Sequence, residues 1–534
     1  ACGNMVEMVD YDGLSIKRSY DVFGLLRSAT DKMGGVCTFE YDKLWRLTKI
    51  TDQLGASTTY AYDPSGRLAS ITNALGESTQ YYYDADDRCT QVTYPNGSQA
   101  YFVYDKLGRI TQVTDCSDTV TRFFYNRFGK VDKVIDAAGN TRLAEYDDGG
   151  QLVALTDEMG AKTLFDYDAL GQVSAITNPY GMKNRYEYLP GGLLARSFMV
   201  DGIEWSYAYD ACGRIKEIRQ GEGASWSLTR DLLGHITAIQ GEDGWSRHYE
   251  YDALGMCSSI RDANGNLTRY KRNAFGELAQ TIDALNNIAE FNYDARGSLV
   301  SIIQSDSEGS LRKTCYKRDL LGRTTKVIDP LGQETRYAYN ELGRLAAVFD
   351  AEGHTTSYGY TPAGTLQSIG YDDGRTVDFG YDALGRLSSV KDWLGTTAIK
   401  RDAAGRIVST EDSSGSILGY ERGLAGELTS LVYPDGERAS YEYDNFGRLT
   451  RLATRNKSVS YEYDQLSRLI RKSASDGLKT RYEYDACRRI TAMTHLDSEG
   501  ELIRLDFGYD AEGNRVRKSV RNRNLPECAG DFTY

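Results

Sequence analysis

The chain has 534 residues, with 63 Lys and Arg against 76 Asp and Glu and a formal net charge of −13. That balance excludes a broad phosphate-binding surface, which needs clustered Lys and Arg, so nucleic acid is not an expected partner. With 40 Tyr and 54 Gly against 8 Pro and 4 His, the composition favours an all-β chain, because Tyr suits pleated strands and Gly suits tight turns.

The start, Ala1-Cys2-Gly3-Asn4, has no initiator Met and no signal-peptide pattern. It reads as the beginning of a fragment, or of a chain whose export is specified elsewhere. No apolar run approaches the roughly 20 residues that a membrane helix needs, so no membrane span is expected. The nine cysteines are scattered and none form Cys-x-x-Cys. Cys89 and Cys257 fall at apolar repeat positions, and Cys212 and Cys487 at turn positions. They read as small packing or incidental residues rather than a zinc site or a disulfide framework.

A repeat organises the rest. Taking Tyr of the unit Tyr-Asp-x-x-Gly-Arg-Leu as the anchor, the register runs Tyr20, Tyr41, Tyr62, Tyr83, Tyr104, Tyr125, Tyr146, Tyr167, Tyr188 and Tyr209 in steps of 21. It passes through Arg230, Tyr251, Arg272 and Tyr293, then takes a 25-residue step to Arg318. It continues through Tyr339, Tyr360, Tyr381, Arg401, Arg422, Tyr443, Tyr463 and Tyr484, and a second 25-residue step reaches Tyr509. Of two dozen anchors, nineteen are Tyr and five are Arg; Asp follows in eighteen, and Gly stands fourth after the anchor in twenty. Such a register along the whole chain predicts one continuous repeat array over residues 1–534 with no separate catalytic domain. The final Tyr534 falls on the next anchor position, from which a longer parent protein is expected.

Each unit reads as two strands and two turns. In Thr58-Thr59-Tyr60-Ala61-Tyr62 the aromatic residues are two apart and share a strand face. Asp63-Pro64-Ser65-Gly66 is a turn: Asp bonds the backbone ahead of it, Pro suits the second position and Gly the fourth. Arg67-Leu68-Ala69-Ser70-Ile71 is the return strand, and a second turn follows at Asn73-Ala74-Leu75-Gly76. Leu68 and Ile71, three apart, would lie on opposite faces of an ideal strand; a bulge, or a strand packed on both faces, would reconcile them. The four-residue expansions, at Ser307-Glu308-Gly309 and Ser498-Glu499-Gly500, fall near second turns and are expected to be longer loops, which cost little.

One hairpin cannot bury a core alone, so neighbours must stack. About 24 units give about 48 strands and, at roughly 4.8 Å each, a sheet about 230 Å wide. Open sheets of more than about ten strands curl, so the ribbon is expected to coil. A single ring would be about 73 Å across, a multi-turn spiral narrower, and side chains could not fill it. The expectation is a hollow object or an open superhelix.

The recurring run, as in Tyr381-Asp382-Ala383-Leu384-Gly385-Arg386-Leu387 and Tyr443-Asp444-Asn445-Phe446-Gly447-Arg448-Leu449, resembles the tyrosine–aspartate (YD) repeats of RHS proteins. That family includes bacterial polymorphic toxins, wall-associated proteins, insecticidal toxin complexes and animal teneurins. The resemblance implies a β-spiral cocoon and, in bacterial members, a shell around a C-terminal toxin until delivery. The implied partners are the protein's own C-terminal toxin domain or secretion machinery, and the implied location is secreted or at the cell surface. Cell-surface carbohydrate binding or adhesion is the alternative the resemblance offers. Bacterial members usually end the shell with a self-cleaving Asp-Pro-x-Gly-Leu segment, which is not found here. Asp63-Pro64-Ser65-Gly66-Arg67 comes nearest but lacks the Leu and sits in ordinary turn register, and Asp329-Pro330-Leu331-Gly332 is a second turn.

No catalytic, cofactor-binding or metal residues are expected. His235, His248, His354 and His495 occupy unrelated repeat positions without metal spacing. The Asp after each anchor recurs with a turn role, so no distinctive carboxylate pair of the glycosidase kind stands out, and no Gly-rich phosphate loop occurs. Arg stands five residues after the anchor in half the units, including Arg67, Arg109, Arg344 and Arg448. It is expected to pair with turn Asp residues of the adjacent unit. The Tyr rows read as core packing, with stacking on sugar rings as the functional alternative.

Overall fold

The computed structural model describes residues 4–9, 15–221, 223–242 and 244–531. The readings made on Ala1-Cys2-Gly3 and on Tyr534 lie outside the described residues. Among those described there are 50 strands and no helix, an all-β array of hairpins. The contacts divide it into two compact units. The first holds Ala1–Phe124, Ile135–Gly139 and Thr268–Thr396; the second holds Tyr125–Val134, Asn140–Leu267 and Thr397–Tyr534. The repeat runs through both.

The 21-residue step has a simple composition. The strand Ser57–Tyr62 has 6 residues and Leu68–Thr72 has 5; a five-residue connection follows each. Both connections close alike. Asp63 donates its N–H to Arg67 O and Gly66 to Asp63 O, and Asn73 donates to Glu77 O and Gly76 to Asn73 O, at 2.9–3.0 Å. The fourth residue must turn left-handed, and Gly66 has φ 89°. Where the fourth position is not Gly, the backbone still holds that conformation: φ is 63° at Trp45, 61° at Asp87, 59° at Ser467 and 67° at Arg488. The hairpin geometry thus prevails over the steric cost of a side chain there.

The puzzle of Leu68 and Ile71 resolves as a bulge. Ala61 faces Ser70 and Tyr62 faces Leu68, leaving Ala69 without an opposite residue, while Tyr60 faces Ile71. Cross-strand partners share a face, so Leu68 and Ile71 lie with Tyr62 and Tyr60. The same shift recurs beside other anchors, for example at Tyr104, Tyr167, Tyr251 and Arg318.

The expansions depart from expectation: the loops do not lengthen. Around Ser307-Glu308-Gly309 the strands grow to Leu299–Ser305, 7 residues, and Leu311–Arg318, 8 residues. The five-residue connection between them persists, with Gly309 donating to Asp306 O. Around Ser498-Glu499-Gly500 the strands reach 8 and 10 residues, Ile490–Asp497 and Gly500–Tyr509. At the first expansion two more residues on each strand keep the face alternation and gain ladder hydrogen bonds, whereas a longer loop would leave its backbone to water; at the second the longer strands pair with a register shift between His495 and Leu496.

The faces are unequal. One carries the anchors and their apolar partners. The other is polar, with ion pairs such as Lys162–Glu145 and Lys183–Asp166, both 2.7 Å, lying over small residues such as the buried Ala154 and Ala175. Among the described residues Ser197 is the largest side chain that is fully buried. The accessible surface is 30999 Å² for 59.5 kDa, where a compact chain of that mass would expose about 19,000 Å².

Within each unit, early and late stretches of ribbon meet edge to edge. In the first unit the Arg296 guanidinium lies 3.3 Å from the Asp52 carboxylate, and the Asn96 amide donates to Pro362 O across 266 positions of sequence. In the second unit Asn264 bonds the Asp510 carboxylate across 246 positions, and Arg488 bonds Gln220 across 268. In every case a second turn of the early stretch meets an anchor turn of the late one.

Candidate functional site

The densest chemistry lies at the anchor turns. Asp63 Oδ1 accepts the Arg67 N–H at 2.9 Å, and Oδ2 accepts Arg67 Nε at 2.7 Å. The backbone N–H of Arg67, opposed by the cost of desolvation and aided by its guanidinium, holds the Asp63 carboxyl below the usual carboxylate range. Arg109 and Arg448 clamp Asp105 and Asp444 in the same way. The expectation that each Arg pairs with an Asp of the adjacent unit is thereby corrected in part: Arg67, Arg109 and Arg448 each hold the Asp of their own turn, because the side chain reaches back over the tight hairpin, while the turn of Arg344 carries Asn340 and no carboxylate. What the Arg reaches in the next unit is the anchor ring. Arg67 lies 4.9 Å from the centroid of Tyr83, Arg448 4.9 Å from Tyr463, and Arg344 5.8 Å from Tyr360. Arg67 adds a contact to the next unit's Asp87 at 2.8 Å.

The anchor hydroxyl completes the set. Pairing between Leu47–Thr51 and Ser57–Tyr62 covers Lys49↔Thr59 to Thr51↔Ser57 and stops short of Leu47. Tyr62 OH donates to Leu47 O at 2.8 Å. Tyr83 donates to Leu68 O, Tyr146 to Val131 O and Tyr484 to Leu469 O, each at the same step. Burial pushes the phenols of Tyr83 and Tyr484 up, keeping them protonated as donors. Among the Arg anchors, three serve the same acceptor by printed geometry of one kind: Arg230 Nη2 reaches Ile215 O at 3.2 Å, Arg318 Nη2 reaches Leu299 O at 2.9 Å and Arg422 Nε reaches Ile407 O at 3.3 Å, and Arg272 and Arg401 bond Gly276 O and Gly405 O of their own turns. Sequence reasoning took the anchor ring as packing and missed this hydrogen bond. The signal was present, since Arg, another long donor, is the sole replacement.

The histidines are dispersed. His235 occupies the arginine seat of its turn, with Nδ1 2.9 Å from Asp231 Oδ2 and its ring stacked 4.7 Å from Tyr251. His354 has the carboxylates of Asp350 at 3.3 Å and Glu352 at 3.7 Å. His495 Nδ1 lies 3.0 Å from Thr480 Oγ1, and His248 lies opposite Arg261 and Ala238 on an exposed strand position. Among the described residues no group of three His, Cys, Asp or Glu could hold a metal ion, and no helix is long and apolar enough to cross a membrane.

One recess was not foreseen. In the second unit Trp226 and Trp245 line a half-open hollow of about 230 Å³ with Glu242, Arg489 and Glu512. Trp205 stacks on Trp226 with centroids 6.4 Å apart and planes 14° from parallel. Three of the five tryptophans in three consecutive repeats were the available signal. The hollow is smaller than pockets for drug-sized ligands, about 300–1,000 Å³, and could admit a single ring.

Comparison with known proteins follows the repeat. The sequence model described as teneurin YD-shell matches residues 7–179, 102–240, 153–327, 307–465 and 352–525. Over 125 residues the chain is 27% identical to double-stranded DNA deaminase toxin A of Burkholderia cenocepacia (strain H111), 23% of this chain and 8% of that protein. The fold is similar to the crystal structure of TcdB2-TccC3-TEV, with a TM-score of 0.52 at 14% identity, over 97% of this chain and 33% of that one. It is similar also to a Photorhabdus luminescens Tc holotoxin pore carrying a TccC3 variant, with a TM-score of 0.51 at 14% identity, over 95% and 32% of the two chains. The chain thus spans about a third of these structural neighbours and a small part of the toxin. At such identity the structural likeness concerns the fold alone.

Proposed function

The chain belongs to the teneurin YD-shell family, and from that premise we propose that it is shell wall: a continuous ribbon that coils around a lumen and encloses or scaffolds a toxin payload carried C-terminally in the same protein. The observation that carries the reading is the use made of the repeat's reactive groups. Asp, Arg and Tyr of the motif are engaged by the ribbon itself, Asp63 with Arg67 and Tyr62 with Leu47, which suits a structural rather than catalytic role. The recurrence of edge contacts at 244–268 positions in both units supports coiling with roughly a dozen repeats per turn. Likeness to a deaminase toxin and to Tc toxin structures supports a toxin context, with export to the outside or the cell surface and secretion machinery as a further partner. Small-angle scattering of the purified chain tests the wall directly. A hollow particle is expected, and a filled one of the same mass would sink the reading.

A second reading, carbohydrate binding, is favoured by the Trp226–Trp245 recess, since indole faces stack on sugar rings and Glu242 offers a hydroxyl acceptor. A glycan array decides it: specific binding lost in Trp226→Ala supports a lectin role, and no binding at micromolar protein removes it.

A further inference from the structure

The first unit applies one rule at both edges of its ribbon. At the third residue after the anchor, the early turns are open: Phe23, Leu44 and Leu107 are 69–78% exposed. The same position in the late stretch is less open, with Phe275 at 40% and Leu321 at 37%. At the second turns the order reverses. Leu54 and Leu75 of the early stretch are 41–45% exposed, while Leu285 and Leu331 of the late stretch are 74–84% exposed. The less exposed edges are those that meet each other, as the Asp52–Arg296 pair marks. Each contact of the ribbon therefore joins a second-turn edge to an anchor-turn edge, and one edge of each kind is left over.

The leftover anchor-turn edge is apolar. Val22, Phe23, Leu44, Trp45 and Leu107 stand along it, all exposed, and the Phe23 and Trp45 rings touch at 5.7 Å between adjacent tips. Isolated apolar residues on a surface mean little, but a row in fixed register, whose equivalents are about half as exposed elsewhere in the same unit, marks a docking face. A surface that fits a different surface of the same molecule makes a head-to-tail contact.

We propose that this anchor-turn edge docks the second-turn edge of another length of YD ribbon, and that the isolated chain therefore binds a second copy of itself head to tail. The copy's seat consists of Leu285 and Leu331 and their turns, repeating the contact that the Asp52 turn makes with Arg296 within one chain. Coiling, on this view, continues between chains by the contact that operates within one. The proposal uses the edges alone and stands whether or not the ribbon encloses a payload.

The test is sedimentation equilibrium of the full chain across the micromolar range, beside two double variants. Leu44→Asp with Leu107→Asp blocks one edge and keeps a residue that the equivalent Asp86 shows the turn accepts. Leu285→Glu with Leu331→Glu blocks the other, as Glu308 and Glu352 occupy that turn position naturally. The unchanged chain is expected to gain mass with concentration, and each variant alone to associate at least tenfold more weakly. An equimolar mixture of the two variants, which together retain one intact pair of edges, should form a complex that stops at two copies. A chain that stays monomeric throughout, variants that associate like the parent, or a mixture that does not pair would each overturn the proposal.

Discussion

The turn at Asp63–Arg67 and the turn at Asn73–Glu77 close with the same two backbone hydrogen bonds, yet only the first is bound by its side chains to the repeats next to it in sequence. Beside it lies the bulge, its Arg lies over the next unit's Tyr, and its own anchor Tyr bonds the previous unit's carbonyl. The second turn has its Asx contacts, Asn73 Oδ1 accepting the N–H of Leu75 and Glu77, and little beyond. Both expansions fall there, at Asp306–Ser310 and Asp497–Gly500. One side of the ribbon fixes the spacing of repeats, and the other absorbs change. Backbone geometry makes a turn; side chains that leave the turn make a register.

The largest way to break this difference is acid, because it acts on many anchor turns together. The carboxyls of Asp42, Asp63, Asp105 and Asp210 are held low, first by the N–H of the arginine that follows. A depressed folded value means the stabilisation is complete above the ordinary carboxylate range and is lost as pH falls through the folded value. The urea midpoint should therefore be flat near neutrality and drop steeply below about pH 4. A midpoint unchanged down to about pH 2.5 would show that the clamp contributes nothing.

Single turns come next. Asp319 accepts the N–H groups of Leu321 and Arg323 and the Arg323 guanidinium, so Asp319→Ala should cost about 2 kcal/mol in urea unfolding. Asp329, in the second turn of the same repeat, accepts the N–H groups of Leu331 and Gln333. Asp329→Ala should cost less than Asp319→Ala; equal losses would erase the distinction between the turns. Tyr484→Phe keeps the ring under Arg468, 5.0 Å from its centroid, and deletes only the bond to Leu469 O. It should cost about 1 kcal/mol, with hydrogen exchange faster in the two flanking strands than elsewhere. Asn286 stands left-handed at φ 63° in a second turn. Asn286→Gly should gain less than about 1 kcal/mol, read as a small rise in urea midpoint.

Much of this was legible because the repeat is written in local chemistry. Asp63-Pro64-Ser65-Gly66 names a turn by its own residues, and Tyr60 with Tyr62 names a strand face. The bulge could be inferred from Leu68 and Ile71 only as one of two options, since pairing is a relation between residues on different strands. The expansion at Ser307-Glu308-Gly309 carried turn residues and so read as loop, although two of its extra residues on each side joined the ladder. The anchor hydroxyl was hidden for a similar reason: its acceptor lies 15 positions back, outside any motif. The Trp226–Trp245 recess depends on Arg489 and Glu512 arriving from far along the chain, which no local pattern encodes.

The tyrosine-to-carbonyl bond has a mechanical consequence. Each one ties a repeat to the repeat before it, as Tyr484 does to Leu469 and Tyr463 to Leu449. A pull on the C-terminal end would load the last of these bonds while those upstream stay slack. The ribbon would then yield one unit at a time, releasing about 70 Å of extended chain per step. The force record would be a series of even teeth, stretched where an expanded hairpin gives way.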